Sequence, residues 1–167
     1  MNNHSILIVD DEINILNTLK RLFIDEGHSI YTAQSGEEGL KVLEKAEIHL
    51  IISDQKMPGM NGIEFLEKAV KEYPDVIPII LTGQAELSDA IRAVNNGCVY
   101  KFIQKPWNNE DLKITVRRAL EQYDLIMKNR NLTDELKKRA RMIEELEQEY
   151  PGITKRPKDG IYEIKSD

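Results

Sequence analysis

The chain predicts a doubly wound α/β domain followed by one long helix, and three features carry that expectation. Between Ile6 and about Leu120, five short apolar runs alternate with longer segments of helical spacing. Three of the runs are almost continuous Val, Ile and Leu, the composition of parallel strands covered on both faces. After Leu120 glycine and proline are missing until Pro151, and charged residues dominate.

The first strand is expected at Ile6 to Val9. Ile15, Leu16, Leu19, Leu22 and Phe23 then fall on one helical face, and Gly27 supplies the stop. A second strand at Ser29 to Ala33 is followed by Ser35-Gly36-Glu37-Glu38, a capping box ahead of Leu40 and Leu43. The third strand, His49 to Ser53, precedes a helix whose apolar face is Ile63, Leu66, Ala69 and Val70 and which Pro74 terminates. The fourth strand, Ile77 to Leu81, leads to a helix with Ala90, Ile91 and Val94 on its apolar face, ended by Gly97. The fifth strand is Val99 to Ile103, and its helix starts near Asn109 with Leu112, Val116, Ala119 and Leu120.

That fifth helix continues. Leu125, Asn129, Leu132, Leu136, Arg139, Ile143, Leu146 and Tyr150 follow alternating four- and three-residue steps, a heptad seam with Asn129 and Arg139 as polar interruptions. At ~1.5 Å per residue, Tyr123 to Tyr150 would extend roughly 40 Å, and a stripe so narrow suits a two-stranded coiled coil. Residues 1–121 are expected as the α/β domain and 122–150 as a helical extension that makes a homodimer. The tail, 151–167, carries turn chemistry at Lys158-Asp159-Gly160 and alternation at Ile161 to Ile164, the pattern of a short hairpin.

Composition narrows the function. A chain of 167 residues with 41% hydrophobic content builds one sizeable core, and a net charge of -6 disfavours a surface that follows nucleic-acid phosphates. The basic cluster Lys137, Lys138, Arg139 and Arg141 is followed by Glu144, Glu145, Glu147 and Glu149, so it reads as a solvated coiled-coil face. Cys98 is the single cysteine and reads as a small core residue. No signal peptide and no membrane span are visible, which leads to the expectation of a cytoplasmic protein with no membrane partner. His4, His28 and His49 lie away from the strand ends discussed next and are assigned no chemistry.

In a doubly wound sheet the loops leaving the carboxyl ends of the strands converge, and ligands bind there. The first strand ends in Asp10-Asp11, the third in Asp54, the fourth in Thr82-Gly83 and the fifth in Lys105-Pro106. Three carboxylates brought together repel one another unless a divalent cation sits among them. An all-oxygen set selects a hard ion, Mg2+ being the abundant one. Such a cluster is ready for a phosphoryl group, with Lys105 as a second positive charge and Thr82 as a hydroxyl donor.

Val9-Asp10-Asp11-Glu12, the run Asp54-Gln55-Lys56-Met57-Pro58-Gly59-Met60-Asn61-Gly62, Leu81-Thr82-Gly83 and Lys105-Pro106 together resemble the receiver domain of bacterial two-component response regulators, over about Ser5 to Glu121. The resemblance implies a flavodoxin-like strand order of 2-1-3-4-5 and a cis bond before Pro106. It implies that Asp54 accepts a phosphoryl group from a sensor histidine kinase or phosphotransfer protein. It implies Mg2+ held by Asp11 and Asp54, by the backbone carbonyl of Lys56, and by Asp10 mainly through water. Thr82 and Phe102 become the switch residues, Phe102 standing where many receivers have tyrosine. Lys56 and Gln84 occupy positions bordering the path of water to an aspartyl phosphate, and the Lys56 side chain is expected to shield it. Trp107 and Tyr100 are packing or interface residues in this reading. The segment from Tyr100 to Trp107 resembles receivers joined to transcription-activating or cyclic-di-GMP phosphodiesterase outputs, so a missing output domain is the alternative. An aspartyl-nucleophile phosphatase is disfavoured, because such enzymes need a carboxylate where this chain has Lys56.

Overall fold

A computed structural model describes residues 3–155. Its elements are β1 (Ser5–Val9), α1 (Ile13–Asp25), β2 (Ser29–Ala33), α2 (Gly36–Lys45), β3 (Leu50–Asp54), α3 (Gly62–Glu72), β4 (Ile77–Thr82), α4 (Leu87–Asn95), β5 (Lys101–Gln104) and α5 (Asn109–Glu149). The five strands are parallel in the order β2-β1-β3-β4-β5. This is the flavodoxin-like arrangement, with the topological switch beside β1 and β3.

Side-chain alternation along the strands divides the core into two layers. Leu7, Val9, Ile51 and Ile80 pack on one face with Phe65, Leu66 and Ala69 of α3 and Ala90 and Ala93 of α4. Ile6, Ile8, Leu50, Ile52, Ile79 and Leu81 pack on the other, with Leu16, Leu19 and Phe23 of α1 and Leu112, Val116, Ala119 and Leu120 of α5. A strand with helices on both sides has no solvent face, which is why β1, β3 and β4 read as unbroken apolar runs.

Local chemistry fixes the ends. Ser35 caps α2 by accepting the amide of Glu38 at 3.1 Å, while the Glu38 carboxylate accepts the amide of Gln34 at 2.8 Å, one residue ahead of the cap itself. Asn61 caps α3 through the amide of Glu64, and Asn108 caps α5 through the amides of Glu110 and Asp111. Gly27 and Gly97 take φ of 88° and 78° just past α1 and α4, the left-handed conformation glycine adopts without cost.

Three readings of the sequence need correction. β5 starts at Lys101, not Val99, because the amides of Cys98 and Val99 both donate to Ala93 and still wrap the end of α4. The buried face of α4 is Ala90 and Ala93, whereas Ile91 is exposed. A helix over a strand end has room for small residues, and periodicity alone ranks isoleucine above alanine. Cys98 is half-buried and not a core residue.

The chain separates into a unit up to Asp124 and a second from Leu125. In the second unit α5 runs on to Glu149 with Leu125, Leu132, Leu136, Ile143 and Leu146 exposed. Arg139 pairs with Glu135 one turn earlier at 2.9 Å. After α5, the Glu147 carboxylate accepts the amides of Gly152 and Thr154 at 2.7 and 3.1 Å, closing the turn at Pro151. The hairpin expected at Lys158 to Ile164 lies outside the described residues. Among the described residues no helix is long and apolar enough to cross a membrane.

Candidate functional site

The carboxyl edge of the sheet gathers Asp10, Asp11 and Asp54. One carboxylate oxygen from each lies within 4.8 Å of the others. Asp10 and Asp54 are 1% and 5% exposed, whereas Asp11 faces solvent. The parallel ladder makes this convergence: Asp54 is the last residue of β3, beside Leu81 of β4, and Asp10 directly follows β1.

Asp10 has one oxygen committed, since its Oδ1 accepts the amide of Glu12 at 2.8 Å. Its Oδ2 is buried with no hydrogen-bond partner. Burial raises the pKa of this carboxyl to about 6; the Glu12 amide opposes that shift, Asp54 reinforces it, Lys105 opposes it and Asp11 adds to it. A buried, unpartnered carboxylate oxygen among two more carboxylates fits a divalent cation. The donor set is entirely oxygen, the chemistry of Mg2+.

Lys105 closes the site from β5, its Nζ 2.7 Å from Asp54 Oδ1. Burial pulls the ammonium pKa down, but the hydrogen bond and charge of Asp54, with Asp10 and Glu12 behind it, outweigh burial and leave it above the ordinary lysine value. The Lys105 amide donates to the Thr82 carbonyl at 2.8 Å, and the Lys105–Pro106 bond is cis. Thr82, fully buried at the end of β4, turns its hydroxyl to the carbonyl of Gly83 at 3.2 Å.

The remaining expected residues are more dispersed. Phe102 is half-buried against the first core layer and opposite Ile80 of β4. Lys56 is exposed and lines an open cleft of about 510 Å³ with Asp11, Glu12, Met57 and Pro58. Gln84 is exposed, and its Oε1 accepts from Nε2 of Gln104 at 2.5 Å. Trp107 is half-buried against the second core layer with its indole donating to Asn109, and Tyr100 is exposed.

Two residues around Asp54 carry roles that a one-dimensional reading does not assign. Gln55 is buried; its carbonyl accepts the Gly62 amide at 3.0 Å and its Oε1 accepts the Ile63 amide at 2.9 Å, so it closes the loop from Asp54 to α3 twice. A Cβ on Gly62 would meet the Asp54 carbonyl oxygen. The glycine therefore lets α3 start against the backbone of the acidic strand end. Its placement at the end of a proline- and glycine-containing loop before an apolar helix was the available signal.

A 2-1-3-4-5 sheet with acidic side chains, a hydroxyl and an ammonium at its carboxyl edge defines a signalling receiver. Comparison with known proteins names the family: the model of the response regulator receiver domain matches residues 6–117. The chain belongs to that family. It is 35% identical over 121 residues to the hydrogenase transcriptional regulatory protein HoxA of Cupriavidus necator, covering 72% of this chain and 25% of that one. It is 38% identical over 117 residues to the transcriptional regulatory protein GlrR of Escherichia coli, covering 70% and 26%. A crystal structure of a response regulator receiver domain protein from Clostridium thermocellum superposes with a TM-score of 0.70 and 34% identity, over 74% of this chain and 98% of that one. The chain thus spans about a quarter of the length of the curated relatives it matches.

Proposed function

We propose that Asp54 accepts a phosphoryl group from the phosphohistidine of a sensor kinase or phosphotransfer protein, with Mg2+ held by Asp10, Asp11, Asp54 and the Lys56 backbone carbonyl. The observation that carries this reading is the approach of three carboxylates, one with a buried unpartnered oxygen, beside the ammonium of Lys105. When bound, the cation supplies positive charge that draws phosphoryl oxygens to the carboxylates. An Asp54 carboxylate oxygen forms the new bond to phosphorus while the phosphorus–nitrogen bond to the donor imidazole breaks, and the electron pair stays with the imidazole. Lys105 exchanges its pairing with the carboxylate for one with a phosphoryl oxygen, balancing the incoming charge.

Thr82 then turns its hydroxyl from the Gly83 carbonyl to the phosphoryl group, and Phe102 moves further into the space beside it. Lys56 and Gln84 set how long the acyl phosphate survives. Beyond this transfer and its own hydrolysis the chain is not an enzyme. The output is a changed self-association through the exposed seam of α5, in a parallel homodimer with no nucleic-acid contact from these residues. Residues 1–121 act as the receiver and 122–150 as the dimerising extension, in a cytoplasmic setting that gives access to the kinase. Incubation with acetyl phosphate and intact mass measurement tests this: the wild type gains one phosphoryl group only with Mg2+ present, and Asp54→Ala gains none. A wild type that gains nothing, or an Asp54→Ala variant that gains as much, would overturn it.

A second reading rests on the relatives' length and their names as transcriptional regulatory proteins. In it, α5 connects the receiver to an output domain of that kind. The length of the natural open reading frame decides between the two.

A further inference from the structure

All three histidines of the chain meet at the amino edge of the sheet, the edge opposite the acidic site. Each stands immediately before a strand: His4 before β1, His28 before β2 and His49 before β3. Parallel pairing in register sets these positions side by side. The ring centroid of His4 is 5.8 Å from that of His28 and 5.6 Å from that of His49. Two consecutive residues of α5 cover the cluster, with His4 Nε2 2.8 Å from Asp124 Oδ1 and His49 stacked on Tyr123 at 4.8 Å.

The hydrogen bonds specify protonation states. The amide of Ser5 donates to Nδ1 of His49 at 3.2 Å, so that nitrogen must be bare for β1 to begin as it does. The Nδ1 atoms of His4 and His28 are buried without a hydrogen-bond partner. A proton on any of these nitrogens is an added buried donor. On His49 it also sets two donors against each other.

We propose that His4, His28 and His49 form an acid-opened clasp, which ties the amino edge of the sheet to Tyr123 and Asp124 of α5 while His28 and His49 are neutral and releases that turn when they gain protons.

The charges around the cluster limit how many protons it can hold. Asp124 faces His4 and can balance one positive ring. Glu26, on the His28 side, is already paired with Lys113 at 3.5 Å and Arg117 at 3.1 Å. Glu47 lies 3.8 Å from His49 Nε2 and is largely solvent-exposed, where its attraction is screened. Arg117 and Glu121 line the same recess of about 210 Å³ as His4, His28, Glu26 and Asp124, adding one charge of each sign. Stacking on Tyr123 attracts a charged His49 ring but does not restore the acceptor lost to Ser5. Burial accordingly lowers the pKa of His28, helped by His4 and opposed by Glu26. Burial also lowers that of His49, where Glu47 opposes it, His4 reinforces it, and Asp124 and the Glu47 hydrogen bond oppose it again.

The sign follows from linkage. A neutral-preferring histidine contributes its full stability above the ordinary value near ~6.5, and that contribution is lost as pH falls from there through the lowered folded value. In that window the open form binds a proton that the closed form does not, so opening grows about tenfold per pH unit for each histidine involved. Phosphoryl chemistry at Asp54 is not required for any of this.

The test is NMR on the full chain with saturating Mg2+, following the three imidazoles and the amide exchange of Ser5, Tyr123 and Asp124 from pH 8 to 5, with exchange corrected for its intrinsic pH dependence. His28 and His49 are expected to titrate below the free-imidazole range, with protection of Ser5 falling about tenfold per pH unit for each of them that titrates, about a hundredfold where both do. His49→Asn keeps an acceptor near the Nδ1 position and cannot titrate, so its Ser5 protection should fall about tenfold less per pH unit than in the wild type, the remaining slope belonging to His28, while phosphoryl gain at Asp54 is unchanged. Ordinary titration of both histidines, or Ser5 protection independent of pH in the wild type, would overturn the clasp. The wild-type titration decides the matter even where His49→Asn does not fold.

Discussion

Asp10 sets the pH behaviour of the acidic site, because its carboxyl keeps a proton up to about pH 6 in the metal-free fold. The unfolded chain releases that proton near ~3.9, so the folded state binds more protons between those values. Asp10 therefore contributes stability fully below ~3.9 that is lost as pH rises through about 6. Mg2+ binding has the opposite dependence, since the cation needs the ionised carboxylate and competes with the proton. Calorimetric titration should give about tenfold weaker Mg2+ affinity for each pH unit below the Asp10 value, and equal affinity at pH 5 and 7.5 would remove Asp10 from the site. At Gly62, a Cβ would collide with the Asp54 carbonyl. Gly62→Ala is expected to cost about 3 kcal/mol in urea unfolding and to slow phosphoryl gain, because α3 must back away from β3. The acidic strand ends, Thr82 and Lys105 were legible in the sequence because each stands within two residues of the end of an apolar run. Gly62, Gln55 and the histidines were not. Their roles depend on which backbone segment or strand end lies alongside, and three separate positions before strands reveal a cluster only once the pairing register is known.

At the scale of elements, β2 stands at its expected bounds and the buried strands shift by at most one residue at either end, whereas the edge strand β5 was the least legible. β1 and β4 stand within one residue of their expected bounds, whereas β5 starts two residues late, the amide of Val99 being held by the end of α4 while that of Tyr100 donates to Pro78 of β4. An edge strand pairs on one side only, so a neighbouring turn can claim its first amides without opening a ladder on both flanks. The α4 error has a related cause: a helix face is chosen by the room beneath it, and here alanines fit where Ile91 does not. For α5 the exposed seam makes a definite expectation. Leu132→Asp with Leu136→Asp should abolish self-association of the full chain in sedimentation, and a chain ending at Glu121 should be equally monomeric. Dimers persisting in both would move the interface elsewhere. Asn129 sits on that seam, where a polar residue lowers stability and fixes register. Asn129→Leu is thus expected to tighten association while permitting more than one oligomer.

Across the whole molecule, the sheet separates two chemistries by strand polarity. Carboxyl ends of the strands carry Asp10, Asp54, Thr82 and Lys105, and amino ends carry the histidines. In the proposed function the acidic site answers to metal and phosphoryl groups, and in the proposed clasp the opposite edge answers to protons. Mg2+ at a hundredfold over its dissociation constant should stabilise the fold by about 2.7 kcal/mol, read as a higher thermal midpoint. Asp54→Ala and Asp11→Ala should reduce that gain. Where a phosphoryl group attaches, and whether it needs the cation, is read most directly by borohydride reduction after acetyl phosphate treatment with Mg2+, followed by tandem mass spectrometry of the peptide spanning β3. The account expects homoserine at position 54, and only in samples that contained Mg2+. Homoserine at another aspartate, or at 54 regardless of the cation, would contradict it.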